Sequence, residues 1–438
     1  LSLVRGWSMV VALPGANSPV ARRLASGGFW SLIGDVGSRA FAFAGAIVVA
    51  RTLGVEDYGA FVLIQSTVGM LMTFAMFGMG HTSTRYIAAY RNTERGRIEG
   101  IAGLTLWFAV LSGLLAAAAL FAAAPYVATS FLKAPEVSAP LQWMAPVLTF
   151  CAVSSAMNGI ILGFEAFQPM ACLTWLTGLL GFIVVITGAS IWGLYGTVLG
   201  LVTGEALRCA FLTRLAGRVM HASGFRLFGP ADLSEAKILW RFTLPLLIGS
   251  ALHAPIMWIC QATIARQVDG MIEIGLYDAA QKWMTIVILA PFAASAAFGP
   301  VLASLSGGVD LLLFKRTISN LAVVQFVLTT IPAVVVALEA PWAAHIFGQS
   351  FAAAARVLPV MMALAPIFVL KHLYWQALTG AGHAWPALWL AILWAGVAVA
   401  LTWSWREGGA MALAEAMLCA YGVTLAASVF LMERIWRR

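Results

Sequence analysis

Residues 27–66 read GGFWSLIGDVGSRAFAFAGAIVVARTLGVEDYGAFVLIQS. The run from Gly27 to Ala50 carries only two charges, Asp35 and Arg39, and is long enough to cross a bilayer, which takes about 20 apolar residues. Arg51, Glu56 and Asp57 then interrupt it, and a second apolar run opens at Tyr58. Two apolar runs around a short charged break mark two membrane helices joined by a tight loop.

The pattern continues along all 438 residues. Charged residues make up 10% and hydrophobic residues 61%, with a mean hydropathy of +0.91; an ordinary soluble domain carries about 25% charged residues. The implied fold class is an all-α integral membrane protein. Twelve spans are expected near 27–50, 58–80, 100–124, 141–163, 169–191, 193–213, 242–265, 275–304, 318–340, 357–379, 384–405 and 409–432. They form two six-helix bundles, 27–213 and 242–432, around a basic cytoplasmic linker at 214–241. Residues 1–26 read as a cytoplasmic tail and 433–438 as a second one. The first twenty residues suit a disordered segment better than a signal peptide, because no A-x-A-like site follows their short apolar patch.

Basic residues give the orientation, since cytoplasmic loops are enriched in them. Eighteen Lys and Arg fall on the side that holds both tails, against five on the other, Arg51, Lys133, Arg266, Arg356 and Arg406. Both termini are therefore expected in the cytoplasm, and the net charge of +8 reflects this bias rather than a nucleic-acid footprint. The five cysteines lie in or beside apolar segments without C-x-x-C spacing and read as packing residues. No Walker loop, H-E-x-x-H or G-x-S-x-G occurs, so neither a cofactor nor an enzymatic activity is expected.

The chain also repeats itself. Asp57-Tyr58-Gly59 with Gln65 returns as Glu273-Ile274-Gly275 with Gln281, an offset of 216. Gly163 and Pro169 return as Gly380 and Pro386 at 217, and Arg51 pairs loosely with Arg266 at 215. Each half holds an even number of spans, so both enter the membrane in the same direction, related by a pseudo-twofold axis along the membrane normal. Such halves enclose a site between them and open to either face by rocking.

Ionisable groups inside spans cost about 2.5–3.5 kcal/mol each at mid-membrane and therefore face a cavity or a partner. Asp35 and Arg39, four residues apart, stack on one helix face; a structural pair and a functional site are equally compatible with that spacing. His253 should lie at their depth by the repeat, with Gln261 farther along the same stripe. Asp278 and Lys282 form a second acid-base pair nearer the outer side, and Lys371 and His372 interrupt span ten. Arg39, Lys282, His253 and Gln261 are the candidate substrate contacts, with Asp35 and Asp278 as charge partners or ion-coupling groups. Cations deep in a cavity suit a substrate bearing phosphate or carboxylate.

The stretch 29–66 resembles the opening of polysaccharide flippases of the MOP superfamily, the Wzx-type exporters, most clearly in ARTLGVEDYG at Ala50 to Gly59 and RYIA at Arg85 to Ala88. That resemblance implies a MATE-like fold in a bacterial inner membrane. It also implies transbilayer movement of a polyprenyl-diphosphate-linked oligosaccharide through a cationic cavity by alternating access. Its partners would be the lipid-linked glycan, the lipid bilayer, and a glycan polymerase and glycosyltransferases. A MATE-type antiporter shares the fold and would use Asp35 as its ion site, but a cationic drug should avoid a cavity holding Arg39, His253 and Lys282. A membrane scaffold for glycan assembly is the non-transport alternative.

Overall fold

The computed structural model describes residues 19–76, 78–91, 95–227, 252–292, 311–380 and 383–436. Among them every long element is helical. In chain order the helices are α1 (Pro19–Met76), α2 (Met79–Tyr90), α3 (Arg95–Tyr126), α4 (Ser138–Trp143), α5 (Ala145–Gly163), α6 (Phe167–Ala222), α7 (His253–Ala265), α8 (Gly270–Val287), α9 (Leu311–Leu338), α10 (Ala340–His345), α11 (Ala354–Gly380), α12 (Ala384–Ser404) and α13 (Gly409–Trp436). Eight described segments are long and apolar enough to cross a membrane. The readings at 1–18, 228–251 and 293–310 fall outside the described residues, including the start of span seven and the end of span eight.

Two of these helices are hairpins. At about 1.5 Å per residue, the 58 residues of α1 would be far longer than the roughly 30 Å hydrocarbon layer. The helix breaks at Gly54, whose φ of 77° and ψ of 172° fall in a region that is essentially glycine-only. The contacts show that the chain reverses there. The first arm runs beside the start of α6, with the Trp175 indole N–H donating to the Ile33 carbonyl (3.0 Å) and Phe41 against Phe182 (6.1 Å). Later, Arg91 donates to the carbonyl of Gly163 (3.2 Å) and pairs with Glu165, just before α6 begins. By Arg91 the chain is back at the end from which the first arm departed.

In α6 the break is at Trp192–Gly193, and the two arms pack so closely that a Cβ on Gly188 would lie 2.1 Å from the carbonyl oxygen of Gly196. The thin Trp192–Gly193 boundary between spans five and six is thus a complete turn. Gly193 has φ 56° and ψ −130°, and Gly409, at an offset of 216, repeats it with φ 62° and ψ −135°. Glu273 then accepts the Ala410 N–H (2.7 Å) at the start of α13. Beyond the expected end of span six, α6 continues to Ala222. Leu212, Ala216 and Met220 are buried there while Arg214 and Arg218 are exposed, the stripe of an amphipathic helix emerging from the membrane. Likewise α1 begins at Pro19, within the stretch read as a tail.

The halves meet through α1, α7, α8 and the turn before α11. Gly59 lies against Met271 and Gly275, and Gly275 lies against Val55 and Gly59. Under the 216 offset, Val55 corresponds to Met271 and Gly59 to Gly275, so each contact has its mate across the seam. Reciprocal contact of equivalent residues defines a twofold axis, and here it passes through the repeated motif itself. One apolar core spans both halves at the Gly54 end, including Tyr58, Leu63, Ile274 and Phe351. Toward the Arg91 end it divides. One separate core lies in the first half, around Ile87, Ile160 and Met220, and another in the second, around Ile318, Leu378 and Met432. Among the described residues the halves share one buried core at the Gly54 end.

The axis leaves no room for side chains: a Cβ on Gly59 would sit 1.8 Å from the Met271 carbonyl oxygen. Gly59→Val should therefore abolish folding or lower thermal stability by more than the roughly 1–3 kcal/mol of ordinary overpacking. Gly69→Ala, which meets nothing within 4 Å, should match or exceed the parent; melting in detergent followed by size-exclusion chromatography reads both.

Candidate functional site

The seam carries a buried polar junction. Tyr58, 1% exposed, donates its hydroxyl to Asp278 Oδ2 at 2.7 Å, and Lys282 Nζ approaches the same oxygen at 3.4 Å. One carboxylate thus holds a donor from the opposite half and a cation one turn along its own helix. The repeat would place Val62 and Ile274 at the equivalent position, and both are buried and apolar. The twofold is structural but not chemical. Nearby, Arg51 Nε donates to the Ile346 carbonyl (2.8 Å), and Tyr58 meets Phe351 edge-on at 5.5 Å.

Asp35 and Arg39 lie on the first arm of α1, toward the Arg91 end. Ile33, Gly37 and Phe41 of the first arm face α6, with a Cβ on Gly37 directed into the Trp175 ring. At 100° per residue Asp35 and Arg39 fall on the opposite side. Phe43, one turn beyond Arg39 on that side, touches Trp283 (5.3 Å) and Phe347 (6.1 Å) of the second half. Both charged residues are exposed, and among the described residues neither has a polar partner, not even the other. Arg39 therefore stands one turn from the Phe43 contacts with the second half, on the side of α1 turned away from α6.

His253 begins α7 in the second half. It lies five residues before Trp258, whose indole N–H crosses to Thr67 Oγ1 (2.9 Å). Its ring stacks on Trp394 (5.0 Å between centroids, 6° between planes), and Nε2 is 3.0 Å from the Tyr421 hydroxyl. Lys371 lies over the Tyr421 ring at 5.6 Å, while His372 contacts Phe292 and bonds Gln376. Gln261, by contrast, is buried, and its Oε1 has no hydrogen-bond partner among the described residues. Sequence reasoning did not find Tyr58, Trp394 or Tyr421 as partners. The repeat holds one clue: Tyr58 lies within the repeated Asp57-Tyr58-Gly59 but faces Ile274 in the second copy.

Residues 24–306, more than half the chain, match the profile of the family described as Polysaccharide biosynthesis protein. The chain belongs to that family. It is similar to the EPS I polysaccharide export inner membrane protein EpsE of Ralstonia nicotianae, 24% identical over 392 residues and covering 88% of each chain. A shorter stretch of 135 residues is 24% identical to stage V sporulation protein B of Bacillus subtilis, covering 31% of this chain and 26% of that protein. Among solved structures, an inward-facing MATE transporter of the MOP superfamily superposes with a TM-score of 0.72 at 15% identity, covering 91% of this chain and 94% of that one. The lipid II flippase MurJ in an inward closed conformation gives 0.69 at 12% identity, covering 92% and 87%. The polysaccharide biosynthesis family protein described here is accordingly an all-α, multi-pass membrane protein that shares the fold of those MOP-superfamily structures.

The junction at Asp278 should be cooperative. Tyr58→Phe strands a buried carboxylate acceptor, and a double-mutant cycle with Asp278→Asn should give a coupling of about 1–3 kcal/mol in unfolding from mixed micelles. Additive losses would mean that the hydroxyl and carboxylate act independently.

Proposed function

We propose that this protein flips a polyprenyl-diphosphate-linked oligosaccharide, the repeat unit of an exported polysaccharide, from the cytoplasmic to the outer leaflet of the inner membrane by alternating access. The observation that carries the proposal is Arg39, exposed and without a polar partner among the described residues, on the side of α1 turned away from α6 and one turn from the contacts of Phe43 with the second half. A lone guanidinium in such a place is suited to an anionic group, since it offers fixed paired donors in place of water. With both termini cytoplasmic, the Gly54 end faces outward and the Arg91 end faces the compartment in which lipid-linked glycans are assembled by glycosyltransferases. A polymerase would then receive the flipped product.

In this reading Arg39, His253, Lys282 and Gln261 meet the substrate, while Asp35 and Asp278 balance charge or carry a coupling ion. Lys282 has a double duty. Its ammonium would meet the anion while remaining beside the Asp278 carboxylate that holds Tyr58 across the seam. Asp35, open and one turn from Arg39, is the observation that favours an ion-coupled antiporter as the second reading. The basic groups around it disfavour a cationic cargo.

Cells lacking the protein should accumulate lipid-linked repeat units on the cytoplasmic leaflet, and unchanged glycan export would refute the flippase reading. Arg39→Ala should lower export about tenfold or more, the consequence of losing a charged hydrogen bond of roughly 1.5–3 kcal/mol, whereas Arg39→Lys keeps part of it. Export of pulse-labelled polysaccharide measures both.

A further inference from the structure

The second half carries a basic, aromatic wall that the first half lacks. Under the 216 offset, Tyr421 corresponds to Glu205, Lys371 to Ser155 and Trp394 to Gly178. In the first half Glu205 binds Cys151 (3.6 Å) and Arg208 (3.4 Å), so acid and base are balanced there. In the second half Lys371, His372 and His253 gather around Tyr421 and the tryptophans, with Lys371 in electrostatic reach of both imidazoles. No acidic side chain pairs with any of the three among the described residues. His253 is exposed beside the buried Trp394 and Tyr421. Lys371, His372 and Trp375 are half-buried.

Two further observations bear on what this cluster could hold. The Trp394 indole nitrogen and Gln376 Oε1 are buried without hydrogen-bond partners among the described residues, and such groups are rare in satisfied interiors. Imidazole and indole planes are also layered, His253 on Trp394 and His372 on Trp375 (6.0 Å, 22°), giving flat faces that suit the C–H side of a pyranose. Lys371 is the one Lys or Arg of this cluster among the described residues, which matches one carboxylate better than a diphosphate.

We propose that the second half holds a subsite for an acidic sugar, in which Lys371 receives the carboxylate, His253 and Trp375 supply the ring platforms, and Gln376 accepts a hydroxyl. The subsite rests on the flippase reading and narrows its cargo to a glycan containing a uronic acid. It also gives the two halves separate tasks, with Arg39 facing the carrier's phosphates and Lys371 the sugar.

The test is binding of trigalacturonate, maltotriose and inorganic pyrophosphate to the purified full-length protein, measured by calorimetry. Trigalacturonate should bind the parent at least tenfold more tightly than maltotriose. Lys371→Gln should erase that difference while melting like the parent, and Lys371→Arg should restore part of it. Pyrophosphate should not displace trigalacturonate. Equal affinity for the two trisaccharides, no binding of trigalacturonate, unchanged binding in Lys371→Gln, or displacement by pyrophosphate would each overturn the subsite. Failure of the subsite leaves lipid-linked intermediates accumulating in cells without the protein; failure of the flippase reading removes that accumulation.

Discussion

Everything in this architecture turns on the crossing of Gly59 and Gly275. Two backbones approach there closely enough to exclude any side chain, and the residues that touch are equivalent members of a duplicated motif. Contact of that kind fixes an axis without fixing an angle, because small residues allow two rigid bodies to pack closely and still tilt. The polar junction beside it supplies the lock that the glycines lack. Tyr58 reaches Asp278 across the seam, and Asp278 also holds Lys282. A pivot of bare backbone next to one breakable hydrogen bond would suit the proposed alternating access, in which the halves separate at one face and then at the other.

Around that pivot the halves have the same form and different chemistry. Gly193 and Gly409 turn the chain with nearly identical dihedrals, yet Gly37 has His253 as its counterpart, and Glu205 has Tyr421. Duplication supplied the symmetric frame, and side chains then diverged between the two halves. A long amphiphile with a diphosphate, a glycan and an apolar tail has no symmetry of its own. If the cargo is the lipid-linked glycan proposed above, unequal halves would suit it better than equal ones.

The helical fold was legible because length and apolarity alone decide what crosses a bilayer. Helices at 95–126, 354–380 and 384–404 fall close to their expected positions for that reason. The turn at Trp192–Gly193 left only a faint trace in the sequence because a glycine with positive φ can reverse a membrane hairpin without a polar loop. The continuation of α6 to Ala222 was hidden by the opposite effect: its arginines suggested a linker, while the spacing of Leu212, Ala216 and Met220 already described a helix. For the candidate site, depth was readable and partnership was not. The repeat placed His253 level with Asp35 and Arg39, but the link of Tyr58 to Asp278 spans 220 residues of chain and no local pattern announces it. Nor could spacing show that Asp35 and Arg39, ideally placed to pair, both stand unpaired among the described residues.

The central claim is that the halves rock about this axis as the cargo passes, opening one end while closing the other. Spin labels can follow both ends together. With the exposed Cys172 and Cys419 replaced by serine, one pair of labels at Thr52 and Gln349 reports the Gly54 end, and another at His221 and Ser319 reports the Arg91 end; all four positions are exposed. On adding lipid-linked oligosaccharide in nanodiscs, pulsed dipolar spectroscopy should show the Thr52–Gln349 distance lengthening while the His221–Ser319 distance shortens. Distances that stay fixed, or that change in the same direction, would contradict the account.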